Sequence, residues 1–212
     1  MNMEQDYFIE KTSSIEVEVP ISGHDQFIEA NTIDITMPEL RNTCIIPSFA
    51  KDNESTISHT HFIESVYNAA QSWFRGETIL KPSIRVSHPV KGRIPSAMGK
   101  PALMLKEDEK TLYYERIAFI MEIPSIRDTI NGNELSLTIG GVRAYNLENL
   151  FSKKTEEKFK VFIGFKNKVC TNLCISTDGI MFELRARTVA EISDQTYNLF
   201  SDFDTPYQLN PS

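Results

Sequence analysis

The chain has 212 residues, 41% hydrophobic and 24% charged, an ordinary globular balance that argues against wholesale disorder and leaves room for a substantial core. Its net charge of −7 argues against a constitutive, non-specific nucleic-acid binder, and no apolar run approaches the ~18 residues of a membrane span. Three cysteines, an odd number, do not make a disulfide framework, and the polar start MNMEQDYFIEKTSS has no secretory pattern, so a cytoplasmic protein with reduced thiols is expected.

The charge is unevenly spread. Residues 1–64 carry 3 basic and 12 acidic side chains, residues 65–187 carry 19 and 13, and residues 188–212 carry 0 and 4. Such asymmetry points to a charged partner or to internal pairing.

Residues 1–40 read as an acidic N-terminal segment with short strands. SIEVEVP alternates Ile15, Val17 and Val19 with glutamates and stops at Pro20, and NTIDITMP repeats the pattern weakly. Residues 38–57 show no period and read mostly as loop, with Cys44 inside it. A helix follows over about 58–75: Ser58 or Thr60 can cap it, Phe62, Ile63, Val66, Tyr67, Ala70, Trp73 and Phe74 form one apolar stripe, and Gly76 stops it. His59 and His61, two apart, do not share a helical face, so they read as solvated first-turn histidines rather than a zinc pair.

Residues 78–106 contain no acidic side chain and hold Lys81, Arg85, Lys91, Arg93, Lys100 and Lys106. SIRVSHP reads as a short strand and VKGRIPSAMGKPA as a loop; Gly99-Lys100 fails as a P-loop because Pro101 follows it. TLYYERIAFIMEI is a strand ended by Pro124, with Glu115 breaking its apolar parity. Asn131-Gly132 signals a tight turn into a strand through Leu135, Leu137 and Ile139. The pair Gly140-Gly141 within that strand predicts a bulge or a close approach by backbone or ligand.

NLENLFSKKTEEKF reads as a short helix or turn, and KFKVFIGF as a strand alternating Lys158 and Lys160 with apolar residues. Cys170 and Cys174 lie four apart. On a continuous strand they would stand ~13 Å apart on one face, too far for a disulfide or a shared zinc, so they read as buried structural thiols. Asn172 shares that face and, if buried, needs specific partners. A hairpin across Asp178-Gly179 follows, then a helix over about 188–203 with a capping box Thr188…Glu191 and a buried side of Val189, Ile192, Thr196, Leu199, Phe200 and Phe203. The expected fold class is α+β, an antiparallel hairpin-rich sheet with flanking helices, forming a single domain over 41–205 with an irregular tail at 206–212.

The stretches CIIPSFAKDNESTISHTHFIE, IRVSHPVKGRIPSA, YYERIAFIMEIPSI and GGVRAYNLENLFSKKTEEKF resemble a domain-of-unknown-function family encoded on conjugative transposons and plasmids of Bacteroidetes. The likeness covers residues 40–185, and VCTN is similar to the VCxN strand of a broader group of phage- and plasmid-encoded proteins. The resemblance implies a mobile-element context and relatives that extend past this C-terminus. It supplies no catalytic residues.

Two functions fit this pattern. One is a mobile-element accessory protein binding DNA or RNA, with Lys81, Arg85, Lys91, Arg93, Arg143, Lys153, Lys154, Lys158 and Lys160 on phosphates and Tyr145 stacking on a base. The alternative is a protein-interaction or host-defence-modulating module whose acidic segment engages a basic protein partner. The acid–base candidates His88, Glu115 and Asp178 form no recognisable constellation, so no catalytic residue, metal or cofactor is expected, and the oligomeric state is left open.

Overall fold

The computed structural model describes residues 28–29, 32–43, 57–145, 156–170 and 174–207. Three helices are described: α1 (Met37–Thr43), α2 (His59–Trp73) and α3 (Val189–Tyr207). The strands are β1 (Ile28–Glu29), β2 (Ile33–Ile35), β3 (Ser83–Val86), β4 (Pro89–Arg93), β5 (Lys110–Tyr114), β6 (Arg116–Ile130), β7 (Asn133–Ala144), β8 (Glu157–Gly164), β9 (Asn167–Cys170), β10 (Ile175–Thr177) and β11 (Ile180–Ala186). The α+β class with an antiparallel, hairpin-rich sheet is what the chain adopts.

The centre is a six-stranded sheet in the order β11-β8-β7-β6-β3-β2, every neighbouring pair antiparallel. Its long β6–β7 hairpin turns at Asn131 and Gly132, both at positive φ (52° and 79°), the conformation that Asn-Gly favours. Alternation along β8 sends Phe159, Val161 and Ile163 to the core beneath α2 and α3, where they meet Phe62, Ile63, Val66, Leu199, Phe200 and Phe203. The two helices also touch edge-on through Trp73 and Tyr197. The opposite sheet face carries a smaller cluster of Ala118, Val142, Ala144 and Phe162, against which Val169 of β9 and Ile175 of β10 pack. These belong to a three-stranded sheet β1-β9-β10, in which β1 runs parallel to β9. Among the described strands, β4 and β5 pair only with each other.

Several expectations shift. Residues 37–43, expected as strand end and loop, form α1: Thr36 Oγ1 accepts from the Glu39 amide at 3.3 Å, and Glu39 Oε2 accepts from the Thr36 amide at 2.9 Å, a capping box. The strand expected over 111–123 is two strands divided at Glu115, and β6 runs through Pro124 with a register shift between Ile123 and Arg127, an irregularity where proline is tolerated. Asp178-Gly179 does not close a hairpin, because β10 and β11 belong to different sheets. Asp178 instead accepts the amides of Phe165 and Lys166 at 3.0 and 2.8 Å, shaping the turn after β8. The helices at 59–73 and 189–207 match those expected, with Ser58 capping α2 through the His61 amide at 3.0 Å. Val189 is exposed rather than buried. The stretches 1–27, 30–31, 44–56, 146–155, 171–173 and 208–212 lie outside the described residues, and with them Cys44, Lys153, Lys154, Asn172 and the strand expected at 15–19. No described helix is long and apolar enough to cross a membrane.

Candidate functional site

Of the ten candidate interface residues, the eight that are described do not form one surface. Arg143 and Tyr145 lie inside the fold, at 2% relative exposure each, and this corrects their assignment to a nucleic-acid interface. β7 places Arg143 on the sheet face under α2, where its guanidinium reaches Glu157 of β8 and the carbonyl of Ile57. Glu157 in turn accepts the Ile57 amide at 3.1 and 3.3 Å. One buried ion pair therefore satisfies both backbone groups of the residue before the α2 cap, polar groups that would otherwise be costly in the interior. The guanidinium also stacks 4.4 Å from the Tyr145 ring centroid and 4.5 Å from that of Phe159, a favourable cation–π arrangement.

His59 completes this centre and corrects the solvated reading, since it is fully buried while His61 is exposed. Its Nε2–H donates to the Tyr114 carbonyl at 2.8 Å, and its ring lies 4.4 Å from that of Tyr145. The carbonyl acceptor requires a proton on Nε2, and burial beside the Arg143 charge keeps the ring neutral, which leaves Nδ1 bare. Burial and then the Arg143 charge push its pKa down to about 3, against the opposing pull of the Tyr114 bond. A group held neutral and sealed from solvent is not an acid–base catalyst at neutral pH. Gly140 and Gly141 mark close approach rather than a bulge: a Cβ at Gly140 would stand 2.3 Å from Phe162 Cζ and 2.5 Å from the Phe119 carbonyl oxygen, and one at Gly141 2.7 Å from Phe62 Cζ.

The remaining cations separate into groups. Arg85 is bonded to both carboxylate oxygens of Asp34 at 2.8 Å and to Thr32. Lys158 and Lys160 sit on the sheet face away from the helices, opposite Arg185 and Glu183 respectively. Lys81 is exposed before β3. Lys91 and Arg93 stand on β4, in the arm that β4 forms with β5.

That arm carries the feature sequence reading missed. Its connecting loop, residues 94–109, is a chain of three 3-10 turns, Pro95–Ala97, Ala102–Met104 and Glu107–Glu109. Glu109, whose side chain is 11% exposed, is the knot. Its carboxylate binds Lys100 Nζ and accepts the Lys106 amide at 3.1 Å, while Arg93 donates to the Lys100 carbonyl. The Lys100 bond first, then the Lys106 amide, holds the Glu109 carboxyl below the usual carboxylate range. The knotted loop presents Leu103 at 101%, Met104 at 71% and Met98 at 68% exposure, the three most exposed large apolar residues described. The same arm carries Lys91, Arg93, Lys100, Lys106 and Lys110, with Lys100 paired to Glu109 and Lys110 to Glu107, beside the exposed Asp108. The signal was legible as Met98, Leu103 and Met104 within an acid-free basic stretch; a loop reading does not ask what its apolar residues do.

No cluster of His, Cys, Asp or Glu among the described residues could hold a metal ion. The chain belongs to the family described as "Domain of unknown function, B. Theta Gene description (DUF3871)", whose model matches residues 8–210. No curated protein and no solved structure matches it.

Proposed function

We propose that the chain is a non-catalytic accessory protein of a mobile element, working in the cytoplasm, and that it holds nucleic acid on the β4–β5 arm. The observation that carries this reading is the complete exposure of Leu103 on a loop tied from within by Glu109, on an arm that also bears Lys91, Arg93 and Lys106. Lys91, Lys106 and Arg93 would meet phosphates, releasing counterions. Leu103 and Met104 would press on base faces or wedge between base steps, as apolar side chains do in architectural proteins. Net acidity of the chain limits this to a local contact and keeps the rest of the surface off the polyanion.

Salt-titrated binding to duplex and single-stranded DNA tests the reading. Lys91→Glu with Lys106→Glu is expected to flatten the slope of log affinity against log salt by ~2, about 0.9 per lost phosphate contact on duplex. No binding by the intact protein at low salt ends it.

A protein partner is the second reading, favoured by Met98 and Met104, since exposed methionines suit adaptable protein contacts. A photo-crosslinking residue at Leu103 separates the two, yielding nucleic-acid adducts under the first and protein adducts under the second.

A further inference from the structure

Cys170 and Cys174 do not lie along one strand. β9 ends at Cys170 and β10 begins at Ile175, and the two strands run antiparallel with Ile175 opposite Val169. Cys170 and Cys174 therefore stand opposite each other at the adjoining ends of the two strands. The Cys170 amide donates to the Cys174 carbonyl at 2.9 Å, and the Cys174 amide donates to Cys170 Sγ at 3.2 Å. This replaces the expected separation of ~13 Å along a strand with that of a hydrogen-bonded antiparallel pair, about 5.5 Å between Cα atoms. Such a spacing lies inside the range that a disulfide spans. Cys170 is half-buried and Cys174 exposed, and neither is in a disulfide, which corrects the reading of buried structural thiols.

We propose that Cys170 and Cys174 form a dithiol modification site that takes a low-molecular-weight disulfide as oxidant and closes to an intramolecular disulfide. The two thiols are not equivalent. Cys170 Sγ accepts an amide hydrogen, a bond that favours the thiolate, the attacking form. The Cys174 thiol is pushed above its ordinary pKa by its hydrogen bond to Cys170 and by the charge there. Cys170 thiolate attacks one sulfur of the oxidant, forming a mixed disulfide and expelling one thiolate. Cys174 then loses its proton and attacks the Cys170 sulfur, expelling the second. Two protein thiols are oxidised, one disulfide is reduced to two thiols, and the protons leave with them.

Closure would pin the end of β9 to the start of β10. Because Glu29 of β1 is in register with Cys170, it would also fix the strand on which residues 28–29 are seated. The site is independent of the nucleic-acid reading.

The test treats the full chain with glutathione disulfide and maps the tryptic peptide spanning residues 169–185, which contains both cysteines. The peptide is expected to lose the mass of two hydrogens and to resist alkylation until reduced. Closure should run about tenfold faster in folded protein than in urea, the advantage of sulfurs already held together. Cys174→Ser should instead retain glutathione on Cys170. Persistent glutathione adducts on the intact chain, cysteines that stay open to alkylation, or equal rates in folded and unfolded chain would overturn the proposal.

Discussion

The centre under α2 and the tip of the β4–β5 arm invert the usual order of a globular protein in opposite senses. The centre buries an arginine, a glutamate and a histidine; the tip exposes a leucine and two methionines. Inside, each inversion is compensated on the spot. Arg143 and Glu157 neutralise each other and together satisfy the amide and carbonyl of Ile57, while His59 sheds its charge and keeps one hydrogen bond. At the tip nothing in the described chain compensates Leu103, yet Glu109, Lys100 and Arg93 hold the loop that displays it. A compensated inversion reads as architecture, and an uncompensated one on a tied loop reads as a contact waiting for its partner.

The comparison breaks most easily at the ion pair. Glu157→Ala leaves Arg143 charged in the interior and strips the Ile57 amide of its acceptor, and should cost about 3–5 kcal/mol in urea unfolding. Replacing both partners, Arg143→Met with Glu157→Leu, should not recover the loss as such swaps often do, because the Ile57 amide and carbonyl would still lack partners. Full recovery would show that the pair's backbone role is dispensable.

Acid should strain the same centre through His59. Its folded-state pKa of about 3 lies below the ordinary 6.5, so the unfolded chain binds the proton first. The stability it permits is complete above pH 6.5 and is lost as pH falls from there toward 3, by about 1.4 kcal/mol per unit. His59→Gln, which can still donate to Tyr114, should remove that slope between pH 6 and about 4, read as unfolding midpoint against pH.

Gly140→Ala sharpens the account of the sheet above it. The new Cβ meets the Phe119 carbonyl oxygen, a backbone atom that cannot swing aside, and should cost roughly 1–3 kcal/mol. The smallest stability change is expected at the tip. Leu103→Ser removes no described contact that holds the fold together and should leave the unfolding midpoint within about 0.5 kcal/mol of the parent.

Much of the fold was legible because its signals are local. The Asn131-Gly132 turn, the α2 stripe and the alternation of β8 each declare themselves within a few residues. α1 was equally local, in the spacing Thr36…Glu39, but is only 7 residues long and carries no apolar period. The rest depended on contacts distant in sequence. Strand parity with Leu137 and Ile139 puts Arg143 on the core face, but the groups that let a charge stay there, Glu157 on the neighbouring strand and Ile57 from 86 residues away, are not legible beside it. The thiols were misplaced because β9 and β10 read as one strand, and a reversal of the chain between them decides whether two residues are far or close. At the arm, composition showed the cations and the apolar residues together, while the Glu109 knot that turns them outward needs the folded loop.

The most direct measurement compares Leu103→Ser/Met104→Ser with the intact chain in salt-titrated DNA binding, alongside urea unfolding of both. Binding should weaken about tenfold, the scale of a lost base contact, with the unfolding midpoint unmoved. Equal affinity of the two proteins, or no DNA binding by either at low salt, would contradict the assignment of the arm.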